Sequence, residues 1–125
     1  MTVIGDVKDY RCIIVDDICD TAGTLCKAAE LLKEQGAKEV HAYISHGVLS
    51  NPAVERITNS VMSSLVITDS IEATEEVKKA KNIRSVSVAP MFAQAMLNVA
   101  AGNSVSSLFD EDMLGPIYEA FYRFE

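Results

Sequence analysis

Tryptophan is absent from this 125-residue chain, and only three cysteines and three prolines occur. Cys12, Cys19 and Cys26 cannot form an even disulfide framework, and no CxxC pair offers a metal site. They read as free thiols of a reducing compartment, with oxidation at Cys19 the minor alternative. No low-complexity stretch or internal repeat interrupts the chain. No run reaches the roughly 20 apolar residues of a membrane span, and Met1 precedes no signal-like segment, so the expected location is the cytoplasm and no membrane partner is expected. Clustered Lys and Arg are also missing, and the formal net charge is −7. That excludes nonspecific nucleic-acid binding as the main task. An anionic ligand is not excluded, because backbone amides and a helix N-terminus bind anions within an acidic protein.

What is present is an ordinary folding composition. Hydrophobic residues make up 49% and charged residues 23%, which favours a packed core over disorder. A chain this short forms one domain at most and buries about two-thirds of its unfolded surface. Its stability is therefore expected to draw on partners. Strands are predicted over Cys12–Val15, Val40–Ser45, Leu65–Thr68 and Arg84–Val88. Between the first two, Leu25, Ala28, Ala29 and Leu32 repeat at helical spacing, and Gly36 marks the stop. Further helices are expected near Asn51–Thr58, with Pro52 early, over Thr74–Lys79, and from Pro90 through Met91, Phe92, Ala95, Met96 and Val99. Ser106–Phe109 reads as a last turn. This β-α-β-α order predicts an α/β fold, a parallel sheet flanked by helices. His41 and His46 flank the second strand and read as surface or packing residues.

The junction at residues 13–24 carries the chemistry. Ile13, Ile14 and Val15 are consecutive β-branched residues, followed by Asp16 and Asp17, then Asp20, Thr21, Ala22, Gly23 and Thr24 at the start of a helix. Strand–loop–helix junctions of this type bind phosphorylated ligands. Gly23 permits close backbone approach, Thr21 and Thr24 add hydroxyl donors, and the helix presents its positive end. Asp16 and Asp17 would repel phosphate; they suit the vicinal hydroxyls of a ribose, directly or through Mg²⁺. The competing role is local: Asp20 or Thr21 serving only as a helix cap.

The run VDDICDTAGT resembles the ribose-5-phosphate motif of ribose-phosphate pyrophosphokinases (phosphoribosyl pyrophosphate synthetases). Gly5-Asp6-Val7, Ser45-His46-Gly47 with Ser50, Val66 to Asp69, and Ser104 to Phe109 resemble the same family in order and spacing. The resemblance covers residues 3 to 110. It implies a partial type I phosphoribosyltransferase-like domain over residues 1–109, lacking its first strands, with a tail over 110–125 of separate character. That tail holds Ile117, Tyr118, Phe121, Tyr122 and Phe124 behind Gly115-Pro116. By position, Asp16, Asp17, Asp20, Thr21, Ala22, Gly23 and Thr24 would bind ribose 5-phosphate or phosphoribosyl pyrophosphate. Ser104, Ser106 and Phe109 resemble part of a nucleotide or phosphate regulatory site, against a plain capping and packing role.

The family transfers a diphosphoryl group from ATP to ribose 5-phosphate with Mg²⁺, supplying nucleotide biosynthesis. The elements that hold ATP and the mobile basic catalytic loop of that family have no counterpart here. The isolated chain is therefore expected to be inactive in transfer, with ATP bound only through the missing domain. The basic pair usual after the family's last helix is also replaced by the apolar Leu97-Asn98-Val99-Ala100. Two further functions compete: a noncatalytic regulatory or associated subunit of a longer synthetase, and a small phosphoribosyltransferase. A sheet without its upstream strands leaves an apolar edge, which predicts self-association or binding to a longer synthetase chain.

Overall fold

The computed structural model describes residues 2–122. Two compact units divide the chain, Met1–Val86 and Ser87–Glu125. The first holds four strands, β1 (Arg11–Cys19), β2 (Glu39–Gly47), β3 (Ser64–Thr68) and β4 (Ile83–Val86), with helices α1 (Gly23–Glu34), α2 (Ala53–Thr58) and α3 (Glu75–Lys79) between them. All neighbouring strands are parallel, in the spatial order β1-β2-β3-β4. The α/β sheet read from the sequence is the one that forms.

Right-handed crossovers that step across a sheet in one direction place their helices on one face. The register rows follow that rule. Ile14, Ala42, Leu65 and Ile83 align across the four strands, and all lie in or against the hydrophobic core. One residue further, Val15, Tyr43, Val66 and Arg84 form the row of the opposite face. There Val15 is 77% exposed and Tyr43 45%, whereas Val66 in the central strand is buried. On α1 the predicted stripe is the buried one: Leu25 and Ala29 enter the core and Leu32 packs against it.

Two strands are longer than expected. β1 does not stop at Val15 but continues through Asp16, Asp17 and Ile18 to Cys19. Pairing with β2 carries it: Asp16 aligns with Ile44, Ile18 with His46 and Cys19 with Gly47. β2 likewise runs on to Gly47, where a Cβ would come within 2.8 Å of the Ile67 side chain. Glycine is required there by close approach.

In the second unit, α4 (Ala89–Ala100) leads to a 3₁₀ turn over Ser106–Phe109 and then to α5 (Glu111–Tyr122). The segment after Asp110 is thus a helix, with Pro116 inside it rather than before it. It packs on the 3₁₀ turn and on α4. Phe124 lies outside the described residues. Among the described residues no helix is long and apolar enough to cross a membrane.

Candidate functional site

The loop between β1 and α1 forms one wall of a cleft of about 420 Å³ at the C-terminal end of the sheet. Asp16, Asp20, Thr21, Ala22, Gly23 and Thr24 line it, together with Ile14, Ile18, Cys19 and Leu25. Asp17 is not among them. Side chains alternate along a strand, so adjacent carboxylates in β1 point to opposite faces. Asp16 shares its face with Ile14 and opens onto the cleft, while its Oδ1 accepts the Asp17 backbone N–H at 2.9 Å. The structure brings six of the seven loop and strand-end residues together and sets Asp17 apart.

α1 begins without a side-chain cap, as α2 and α4 do. The first four amides of a helix have no partner within it. Neither Asp20 nor Thr21 supplies one here: the N-cap is Ala22, and no side-chain hydrogen bond caps the helix. The first turn contains no acidic residue either. The helix therefore presents donors and its positive end to the cleft without an internal anion to answer them.

The unusual backbone also sits one residue from where the sequence suggested it. Ala22, with φ 61 and ψ 6, occupies the left-handed region, a conformation that costs a non-glycine residue about 1 kcal/mol or more. Gly23 has ordinary helical surroundings, and a Cβ there would lie 3.6 Å from Arg56 Nη1, in normal contact.

Arg56 was not singled out by the sequence. From α2 its Nη1 donates to the Thr21 carbonyl at 3.0 Å, 35 positions along the chain. Burial pushes the Cys19 thiol's pKa up, with the backbone amide of Ala22 acting in the opposite direction. Burial likewise raises Cys26, with Ser60 acting against it. Both are buried and remain neutral thiols at ordinary pH, so oxidation at Cys19 finds no support.

Hydroxyl groups tie the adjacent strand ends. Thr68 Oγ1 and Ser70 Oγ donate to the Ser45 carbonyl at 2.6 and 3.1 Å, and His46 Nδ1 lies 2.7 Å from Ser70 Oγ. His41 bridges Ser64 Oγ at 2.8 Å and Glu39 at 3.3 Å, the latter also paired with Arg11 at 3.0 Å. Both histidines thus serve local polar networks. Among the described residues no group of three or more His, Cys, Asp or Glu is placed to hold a metal ion.

In the second unit the serines of Ser104–Ser107 bond within their own turn. Ser104 Oγ lies 2.7 Å from Ser106 Oγ, and Ser107 Oγ donates to the Ser104 carbonyl at 2.8 Å. The buried Asn98 donates to that carbonyl at 2.9 Å. Phe109 is 89% exposed, beside an apolar groove that includes Met91 and Phe92.

Comparison with known proteins agrees with this fold. The phosphoribosyl synthetase-associated domain family matches residues 1–110. A ribose-phosphate pyrophosphokinase of Cereibacter sphaeroides is 70% identical over 98% of this chain and 37% of its own length. One of Caulobacter vibrioides is 56% identical over 88% of this chain and 35% of its own. The chain thus spans little more than a third of these curated relatives. The crystal structure of phosphoribosylpyrophosphate synthetase from Mycobacterium smegmatis superposes with a TM-score of 0.76 at 37% identity, over 80% of this chain and 33% of that one. By its matched residues and its fold, the chain belongs to the phosphoribosyl synthetase-associated domain family.

Proposed function

We propose that this chain is the C-terminal portion of a ribose-phosphate pyrophosphokinase and that the cleft between β1 and α1 binds ribose 5-phosphate. The observation that carries the reading is the uncapped start of α1 facing Asp16 across one cleft. The amides of the first helical turn, with the Thr21 and Thr24 hydroxyls, match a phosphate. Asp16 and Asp20, acceptors on the same cleft, match the ribose hydroxyls. Asp17 does not line the cleft, so its role is secondary.

The donor set also fits Mg²⁺ brought in with the ligand. That ion commonly uses one or two protein carboxylates and completes its shell with water and substrate oxygens. Asp16 and Asp20 would hold it, and it would neutralise phosphate charge in the family's diphosphoryl transfer from ATP. The chain's own residues bind and orient the acceptor sugar phosphate. ATP and the transfer step belong to parts of the longer relatives that this chain does not match, and the setting is cytoplasmic nucleotide biosynthesis.

Calorimetric titration with ribose 5-phosphate tests the reading. The wild type should bind, and Asp16→Ala should bind at least about tenfold more weakly, the loss of a charge-assisted hydrogen bond. Identical titrations would remove Asp16 from the site.

A second reading has its own support. β1 is an edge strand, and Ile13, Val15 and Ile18 are exposed along it. An apolar edge of this kind suits a noncatalytic subunit seated on a longer synthetase. Copurification with such a chain, lost on Val15→Lys, would favour it. Ser104, Ser106 and Phe109 would then supply a regulatory contact for phosphate or nucleotide. Nothing favours the small phosphoribosyltransferase.

A further inference from the structure

The peptide unit joining Thr21 to Ala22 is held by its carbonyl, which accepts from Arg56 Nη1 at 3.0 Å. A peptide unit is planar, so holding its carbonyl fixes the orientation of its N–H as well. Ala22 follows directly, in the left-handed conformation that an alanine avoids unless its surroundings impose it. Ala22 is also buried, so its backbone has little freedom to relax toward solvent. Every amide of the first turn of α1 takes its direction from that residue.

We propose that Arg56 is a positioning residue of the phosphate loop: by clamping the Thr21 carbonyl it holds Ala22 left-handed and so aims the first amides of α1 into the cleft. The alternative is that Arg56 acts by its charge alone, attracting an anion over short range. Geometry distinguishes the two. The guanidinium bonds to the loop's carbonyl, and Arg56 is not among the residues that line the cleft. A clamp leaves the apo loop ordered before any ligand arrives, which lowers the ordering cost of binding.

This inference rests on the ribose-5-phosphate reading for its functional consequence, but its structural half is measurable without a ligand. Arg56→Met keeps an unbranched apolar stem and removes the donor. In the ligand-free variant, the Ala22 amide should exchange with solvent at least roughly tenfold faster. The core amide of Leu65 should keep its wild-type rate, which establishes that the fold is intact. Ribose 5-phosphate should bind roughly tenfold more weakly. Weaker binding with unchanged Ala22 exchange would assign Arg56 a charge role and overturn the clamp. Unchanged exchange and unchanged binding would overturn it as well. If the wild type itself fails to bind ribose 5-phosphate, the ligand reading falls, and the exchange of Ala22 alone decides whether the clamp exists.

Discussion

Two helices of the first unit begin in opposite ways. α3 starts at Thr74, whose Oγ1 accepts the Val77 N–H at 3.4 Å, and Glu75 and Glu76 stand in its first turn. Its orphan donors and its dipole are answered from within the chain. α1 starts at a left-handed Ala22, with no side-chain cap and no acid in the first turn. A helix of twelve residues could easily carry a serine or aspartate at that position. Capping stabilises a helix by about 1 kcal/mol, and the uncapped start beside the cleft is the feature on which the proposed phosphate site rests.

The contrast can be broken first at Thr24. Thr24→Asp places a carboxylate in the first turn of α1, giving it the character of α3. The helix should gain a few tenths of a kcal/mol, whereas ribose 5-phosphate should bind at least about 30-fold more weakly through charge repulsion. Thermal unfolding and calorimetry on one preparation would read both. A variant that binds as well as the wild type would show that no anion sits at this helix.

A smaller and opposite effect is expected at Thr74. Thr74→Ala removes a cap that serves only the fold, so stability should fall by about 1 kcal/mol and ligand affinity should not change. Denaturant titration measures the first and calorimetry the second. Ala22→Gly sharpens the comparison further. Relief of the left-handed strain outweighs the added chain entropy only slightly, so stability should rise by about 0.5 kcal/mol. A loss of stability would mean that Ala22 is not strained.

The smallest effect lies in Glu39, on the strand beside β1. A hydrogen bond from His41 is the main cause holding its carboxyl below the usual 4.5, with Arg11 contributing. A carboxyl depressed on folding stabilises the native state above its unfolded pKa and loses that contribution as pH falls through the folded one. Stability of the wild type should therefore decline below about pH 4.5 more steeply than that of Glu39→Gln, as read by unfolding across the acid range.

Much of the fold was legible because it is local. Leu25, Ala29 and Leu32 recur at helical spacing, and the strands centred on Ile13, Ala42 and Val66 announce themselves by β-branched and apolar runs. The length of β1 was not legible, because acidic residues disfavour strands and only pairing with Ile44, His46 and Gly47 carries the chain past Val15. The loop composition pointed to the cleft, but it also pointed to Gly23 as the special backbone position. The left-handed residue is Ala22 instead, next to the Thr21 carbonyl that Arg56 bonds. Nothing in the spacing of Arg56, on a separate helix, connects it to Thr21.

The sequence by itself determined the order of strands and helices, the loop residues proposed to bind phosphate and the family to which they belong. These follow from periodicity and from residue chemistry that neighbours in the chain suffice to express. Tertiary structure decided which of two adjacent aspartates faces the cleft and which distant cation secures the loop. Both depend on strand register and helix packing, and those are set by contacts between residues far apart in the chain.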